Sequence, residues 1–247
     1  MVTLCSDYNE FDFLPADAYA ARITALFKTY GAGYDFASFW VQRVENKPVA
    51  AISRVDGNMT LCCTGNADYE ELSAFIDAVG YSSLTLDEEY ILPLGLTDAK
   101  SSYTVEYKGE KDFSNELIKT DYDKKKLYDL LISCGFELGS YSAFLSDVCA
   151  RLNKNTASLA AIGEAEADAC AFALFEGEKS VLLGAVATRN EARGKGYASA
   201  LVKYLAGREQ IKKVFLFCRN DGLLDFYKKS GFEYAGKWAV IEKQRRD

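Results

Sequence analysis

The sequence predicts an α/β (α+β) protein of two similar halves, each a mixed, mostly antiparallel central sheet flanked by helices. Apolar runs come in groups of three separated by polar turns, and each group leads into a helical pattern and a further strand. The order of the first half recurs about 125 to 130 residues later.

In the first half, residues 38–41, 48–52 and 59–64 read as an antiparallel meander, with Val55-Asp56-Gly57-Asn58 as a turn. A helix at 69–79 places Leu72, Phe75, Ile76 and Val79 on one face, a strand follows at 83–86, and 103–107 closes the half. The polar, glycine-containing stretch 107–112 marks a boundary, giving domains 1–112 and 113–247. Two amphipathic helices open the second half, at 123–134 (Leu127, Leu130, Leu131) and 142–152 (Leu145, Val148, Leu152). The charge run 121–126 reads as a solvated helix start. A second meander follows at 157–162, 169–175 and 181–188. Then come a glycine turn, a helix ending near Gly207, a strand at 214–217, a helix at 223–229 stopping at Ser230-Gly231, and a last strand at 238–241. Residues 243–247 read as a frayed terminus.

With 247 residues and 49% hydrophobic content, the chain can bury a full core without staples. No run approaches the ~20 apolar residues of a bilayer span, and Met1 to Asp7 lack the pattern of a secretion signal. A cytoplasmic protein without a membrane segment is expected. The seven cysteines show no Cys-x-x-Cys spacing and there is no histidine, so they read as reduced core residues, with Cys62 and Cys63 facing opposite sides of a strand, and no metal is expected. The lack of histidine excludes Ser-His and Cys-His nucleophiles and zinc-histidine hydrolysis. A net charge of −7 argues against a nucleic-acid partner and slightly favours a cationic one.

The segment Arg193-Gly194-Lys195-Gly196-Tyr197-Ala198-Ser199 joins an apolar strand to a helix. Two glycines one residue apart permit a tight turn and close backbone approach, and the first N–H groups of the helix have no partner inside it. Arg193 and Lys195 add charge, so a pyrophosphate suits the turn better than a carboxylate. The alternative is an ordinary strand-to-helix turn. A Walker loop is excluded because Lys195 is followed by Gly196 and Tyr197, and a dinucleotide fingerprint because Ser199 stands where glycine or alanine is needed. At the matching place the first half has Gly65-Asn66-Ala67-Asp68-Tyr69-Glu70-Glu71, whose acids repel phosphate. That half serves packing or acceptor recognition.

Arg193-Gly194-Lys195-Gly196-Tyr197-Ala198 matches the Arg/Gln-x-x-Gly-x-Gly/Ala signature of the GNAT acyltransferase superfamily, which the second half resembles from about residue 121 to 243. Asn220, Tyr227 and Gly231-Phe232 follow at the spacing found in that family. The first half resembles it in element order alone, as a degenerate copy in a tandem protein. The resemblance implies acetyl-CoA, or another acyl-CoA, as co-substrate. Its pyrophosphate would lie on the backbone of 193–199, its pantetheine arm along Val186, Ala187 and Thr188, and Asn220 would belong to the same donor site. It also implies N-acyl transfer to a primary amine of a small molecule or peptide by direct attack, with Tyr227 as proton donor to the departing thiolate.

The general base stays open among Glu164, Glu166, Asp168, Glu88, Glu89 and a chain of waters. Residues 181–188 hold no carboxylate, whereas some relatives place a glutamate there. Cys218 reads as a core cysteine rather than a nucleophile. Two alternatives to acetyl transfer are a non-catalytic CoA-sensing module and a different donor, a longer acyl-CoA or an aminoacyl-tRNA, the latter opposed by the acidic charge.

Overall fold

The computed structural model describes residues 1–208 and 212–243. The first half comprises β1 (Val2–Leu4), α1 (Ala18–Tyr30), β2 (Ala37–Val44), β3 (Lys47–Val55), β4 (Asn58–Cys63), α2 (Tyr69–Val79), β5 (Ser83–Asp87) and β6 (Lys100–Tyr107). The second comprises α3 (Lys124–Ser133), α4 (Tyr141–Asn153), β7 (Ser158–Ile162), β8 (Ala169–Glu176), β9 (Ser180–Thr188), α5 (Tyr197–Gly207), β10 (Lys213–Cys218), α6 (Asp221–Lys229) and β11 (Phe232–Glu242). The Asp56-Gly57 turn forms as expected, with φ of 49° and 78° closing the β3–β4 hairpin. Residues 244–247 of the basic terminus lie outside the described residues.

Among the described residues eleven strands form one sheet in the order β1-β2-β3-β4-β5-β11-β6-β10-β9-β8-β7. The mixed α/β class expected from the sequence is what the structure has, with the sheets of the two halves joined edge to edge. The join is an exchange of strands: β6 lies between β10 and β11, and β11 lies between β5 and β6. Neighbours are antiparallel except β4 with β5 and β9 with β10, the two pairs connected through a helix, α2 and α5. No helix among the described residues is long and apolar enough to cross a membrane.

Side-chain alternation divides the core into two layers. Val181 and Leu183 of β9 face α5, Ile52 of β3 and Leu84 of β5 pack with α2, and Tyr227 of α6 joins the α5 cluster. The opposite face carries α1, α3 and α4; Leu182 of β9 and Ala51 of β3 both pack against α1 there. Cys62 and Cys63 fall in the two different clusters, as their adjacency on a strand requires.

α1 and β1 have no counterpart among the elements expected from the sequence. Only Arg22, Lys28 and Tyr30 of α1 escape burial, so it lacks the polar face that marks a surface helix. The cause is its place: it touches β2, β3 and β4 of one half and β8, β9 and β10 of the other. Strands β4 and β9 stand five places apart in the sheet, about 24 Å if the sheet were flat. One helix ~10–12 Å across reaches both only because the sheet bends round it. β11 is also longer than the expected 238–241, because exposed Glu233, Tyr234 and Lys237 and a bulge at Gly236 (φ 145°) break the alternation at its start.

Candidate functional site

The chain leaves β9, makes one 3-10 turn at Asn190–Ala192, and enters α5 through Gly194 and Gly196, at φ 80° and 79°. A non-glycine residue disfavours that conformation by ~1–2 kcal/mol. No atom lies within 4 Å of a Cβ placed on either glycine, so the backbone here borders open space. The N–H groups of Gly194, Lys195, Gly196, Tyr197, Ala198 and Ser199 find no acceptor among the described residues; the first helical bond runs from Ala200 N to Gly196 O. The other five α-helices each carry a side-chain cap, from Asp17, Asp68, Asp123, Ser140 and Asn220, whereas α5 has none. Six free donors beside exposed Arg193 and Lys195 give the turn the character that favours an anion.

The strand leading to this turn is open along one flank. β9 and β10 pair from Ser180 with Lys213 to Leu183 with Leu216, and then separate. Gly184 to Thr188, including Val186, Ala187 and Thr188, therefore have no partner strand on that side, while a bulge at Ala185 (φ 48°) distorts the pairing with β8. Such an edge can bind an extended amide-bearing arm as an added strand. The Thr188 Oγ1 is buried without a partner.

Val186 and Tyr197 pack against the buried cluster that contains Tyr227. Tyr227 is 5% exposed and packs on Phe226 and Phe232, in one cluster with Cys218. Burial, and then Cys218, push its phenol above the usual value near 10. Asn220 is exposed and caps α6 through Oδ1, which accepts from Leu223 N at 3.0 Å. Ser199 Oγ accepts from Ser230 Oγ at 2.9 Å, tying the start of α5 to the end of α6. Cys218 is fully buried, and burial pushes its thiol up to about 12, which suits a core cysteine rather than a nucleophile.

The first half has the same separation of strands but fills it. β4 and β5 pair only from Asn58 with Ser83 to Thr60 with Thr85. Tyr90, past the end of β5, donates to Cys63 O at 3.2 Å and stacks on Tyr69. At α2 the Asp68 carboxylate accepts from Glu71 N, Asp68 N donates to Gln42 Oε1, and Glu71 lies 2.9 Å from the terminal amine. The N–H groups of Asp68 and Glu71 are thus occupied, and the local charge is negative.

The five candidate bases are scattered. Glu164 and Glu89 are exposed, Glu166 pairs with Arg189, Glu88 pairs with Lys237, and the backbone carbonyl of Asp168 accepts from Arg189 N at 2.8 Å. The sequence reasoning missed Asp87, whose half-buried carboxyl is raised first by burial and sits opposite Trp238 in the β5–β11 register. Trp238 stacks on Phe217 at 5.0 Å and donates through Nε1 to Cys218 O. Tyr19 of α1 packs on Phe217 at 5.7 Å. Phe217 is the first residue of β10 past the last β9–β10 pair, so first-half residues wall the opening on the α1 face. The only sign of Asp87 in the sequence is its place at the end of an apolar strand.

The second half thus combines a mixed sheet, parallel strands that part, and an uncapped, glycine-led helix. Residues 155–234 match the family model for the acetyltransferase (GNAT) domain. The chain carries that match wholly within its second half. Its whole length is similar in fold to a tandem GNAT protein from the clavulanic acid biosynthesis pathway (TM-score 0.62, 9% identity, 100% of this chain and 99% of that one). It is similar also to an acetyltransferase of the GNAT family from Colwellia psychrerythraea (TM-score 0.57, 11% identity, 99% and 100%). A third similar structure is a GCN5-related N-acetyltransferase from Sphaerobacter thermophilus (TM-score 0.56, 13% identity, 98% and 95%). No curated protein matches the sequence.

Proposed function

We propose that this chain transfers an acyl group, acetyl in the first instance, from acyl-CoA to a primary amine of a small molecule or peptide, by direct attack with donor and acceptor bound together. The observation that carries this is the run of six free N–H groups from Gly194 to Ser199, placed where β9 loses its partner strand. The first half lacks both an uncapped helix and an open edge, which supports one donor site per chain. The pyrophosphate is held by the backbone of 194–199, with Arg193 and Lys195 adding charge. The pantetheine arm runs along 186–188, and an N–H of that edge meets the thioester oxygen as charge develops. The thioester supplies an activated acyl group with a thiolate leaving group. In saturating acetyl-CoA, at ~100 times its dissociation constant, the folded state should gain about 2.7 kcal/mol. An unchanged melting midpoint under those conditions would remove the donor site.

Tyr227 contributes less than full proton transfer. A CoA thiol ionises near 8.5, well below the buried phenol, so the phenol donates a hydrogen bond to the developing thiolate and keeps its proton. The expected loss for Tyr227→Phe is ~10-fold in kcat, at the low end of acid–base contributions, with the KM for acetyl-CoA held within twofold. An unaltered kcat in a CoA-release assay removes the residue from the chemistry.

A further inference from the structure

Arg22 is a cation without a counter-ion at the junction of the two halves. It projects from the middle of α1, with Nη1 3.4 Å from Thr85 Oγ1 on β5 and Cζ 5.4 Å from the centroid of the Phe175 ring on β8. Its Nε is out of reach of solvent and finds no acceptor. A second arginine, Arg151, lies 4.7 Å from the same ring, but Asp147 neutralises it at 2.9 Å. No carboxylate among the described residues pairs with Arg22, and burial, then Arg151, push its guanidinium down to about 10. Ser53, Thr60 and Thr85 stand side by side across β3, β4 and β5 on the α1 face. Ser53 Oγ and Thr60 Oγ1 are buried and also without partners.

An unpaired cation that is partly withdrawn from water carries a desolvation cost, so a chain that keeps one gains from something that binds there. The uncompensated charge is single, which matches a monoanion, and a carboxylate presents two oxygens to a guanidinium fork. Position supplies the link to chemistry. Tyr19 lies one helical turn from Arg22, ~5 Å along α1, and packs on Phe217 at the wall of the donor opening. We infer that Arg22 binds the carboxylate of the acceptor, so that the substrate is an amine that also carries a carboxylate, of amino-acid type. This rests on the acyl-transfer proposal above.

The test compares the common L-amino acids with their C-terminal amides as acceptors in the wild-type protein. It also compares N-acetyl amino acids with N-acetyl amino-acid amides as ligands in thermal denaturation without CoA. Expected are a preference of at least about 30-fold in kcat/KM for one or more carboxylates over the matching amide, typical of a charge pair at an interface, and a midpoint rise with carboxylate ligands only. Arg22→Gln should abolish both, Arg22→Lys should restore part, and acetyl-CoA affinity should stay within twofold. Carboxylates and amides that behave alike in the wild type overturn the assignment, as does a preference that survives Arg22→Gln. A carboxylate-specific, Arg22-dependent midpoint shift without turnover keeps the Arg22 site and overturns acyl transfer. Turnover of amines with no carboxylate preference does the reverse.

Discussion

Replacing Gly196 by aspartate is expected to weaken acetyl-CoA binding by at least ~100-fold while altering folding stability by no more than ~2 kcal/mol. Gly196 has φ 79° at the entry to α5, and a Cβ there meets nothing within 4 Å, so the substitution introduces no clash. Aspartate is among the side chains that tolerate the left-handed region, and a carboxylate beside a helix start recovers ~0.3–1 kcal/mol of the strain. The effect on the ligand has the opposite sign. A carboxylate about 4 Å from a pyrophosphate charge, at an effective dielectric near 20, opposes binding by ~4 kcal/mol before salt screening. Gly196→Asn keeps shape without charge and should lose only about a tenth as much affinity as the aspartate, on a Coulomb argument. Titration calorimetry with acetyl-CoA and urea denaturation of the three proteins separate the two effects. An aspartate variant that binds as tightly as the parent moves the pyrophosphate away from this turn. The chain already contains the change in its other half, where Asp68 with Glu70 and Glu71 occupies the matching helix start.

How far the site can be read in the sequence depends on which physical constraint each part obeys. Gly194 and Gly196 are legible because positive φ restricts the residue type. Asn220 is legible as a position, although its oxygen serves α6 as a cap. The parting of β9 from β10 leaves no trace, since a missing hydrogen bond changes no side chain and the bulge falls on Ala185, an unremarkable letter. Helix α1 is hidden by burial on all sides, which erases the 3.6-residue period. Asp87 and Arg22 are hidden with it, because each gains its setting from strands more than fifty residues away. β6 and β11 are recognisable as strands, but no local pattern names their neighbours.

That last point has the largest consequence for stability. Residues 113–247 expressed alone are expected not to reach a cooperatively folded state, although they contain the whole matched GNAT segment and the glycine turn. β11 pairs only with β5 and β6, so in the fragment it has no partner strand at all. β10 loses β6 and becomes a bare edge. Phe175, Leu182 and Phe215, which pack on α1, are uncovered. Each such side chain contributes ~1.5–3 kcal/mol by burial, and three of them with three lost strand interfaces exceed the ~5–15 kcal/mol that holds a domain together. The converse fragment, 1–112, leaves β6 without β10 and β11 in the same way. The full chain should then unfold in one transition in urea, with near-UV ellipticity and tryptophan emission coincident. The 113–247 fragment should show no near-UV signal and no acetyl-CoA binding, and both should return when 1–112 is co-expressed with it. A fragment that binds acetyl-CoA alone with the affinity of the whole chain would mean that β10 and β11 pair with each other once β6 is gone. The exchange would then be a preference of the intact chain rather than a condition of its folding.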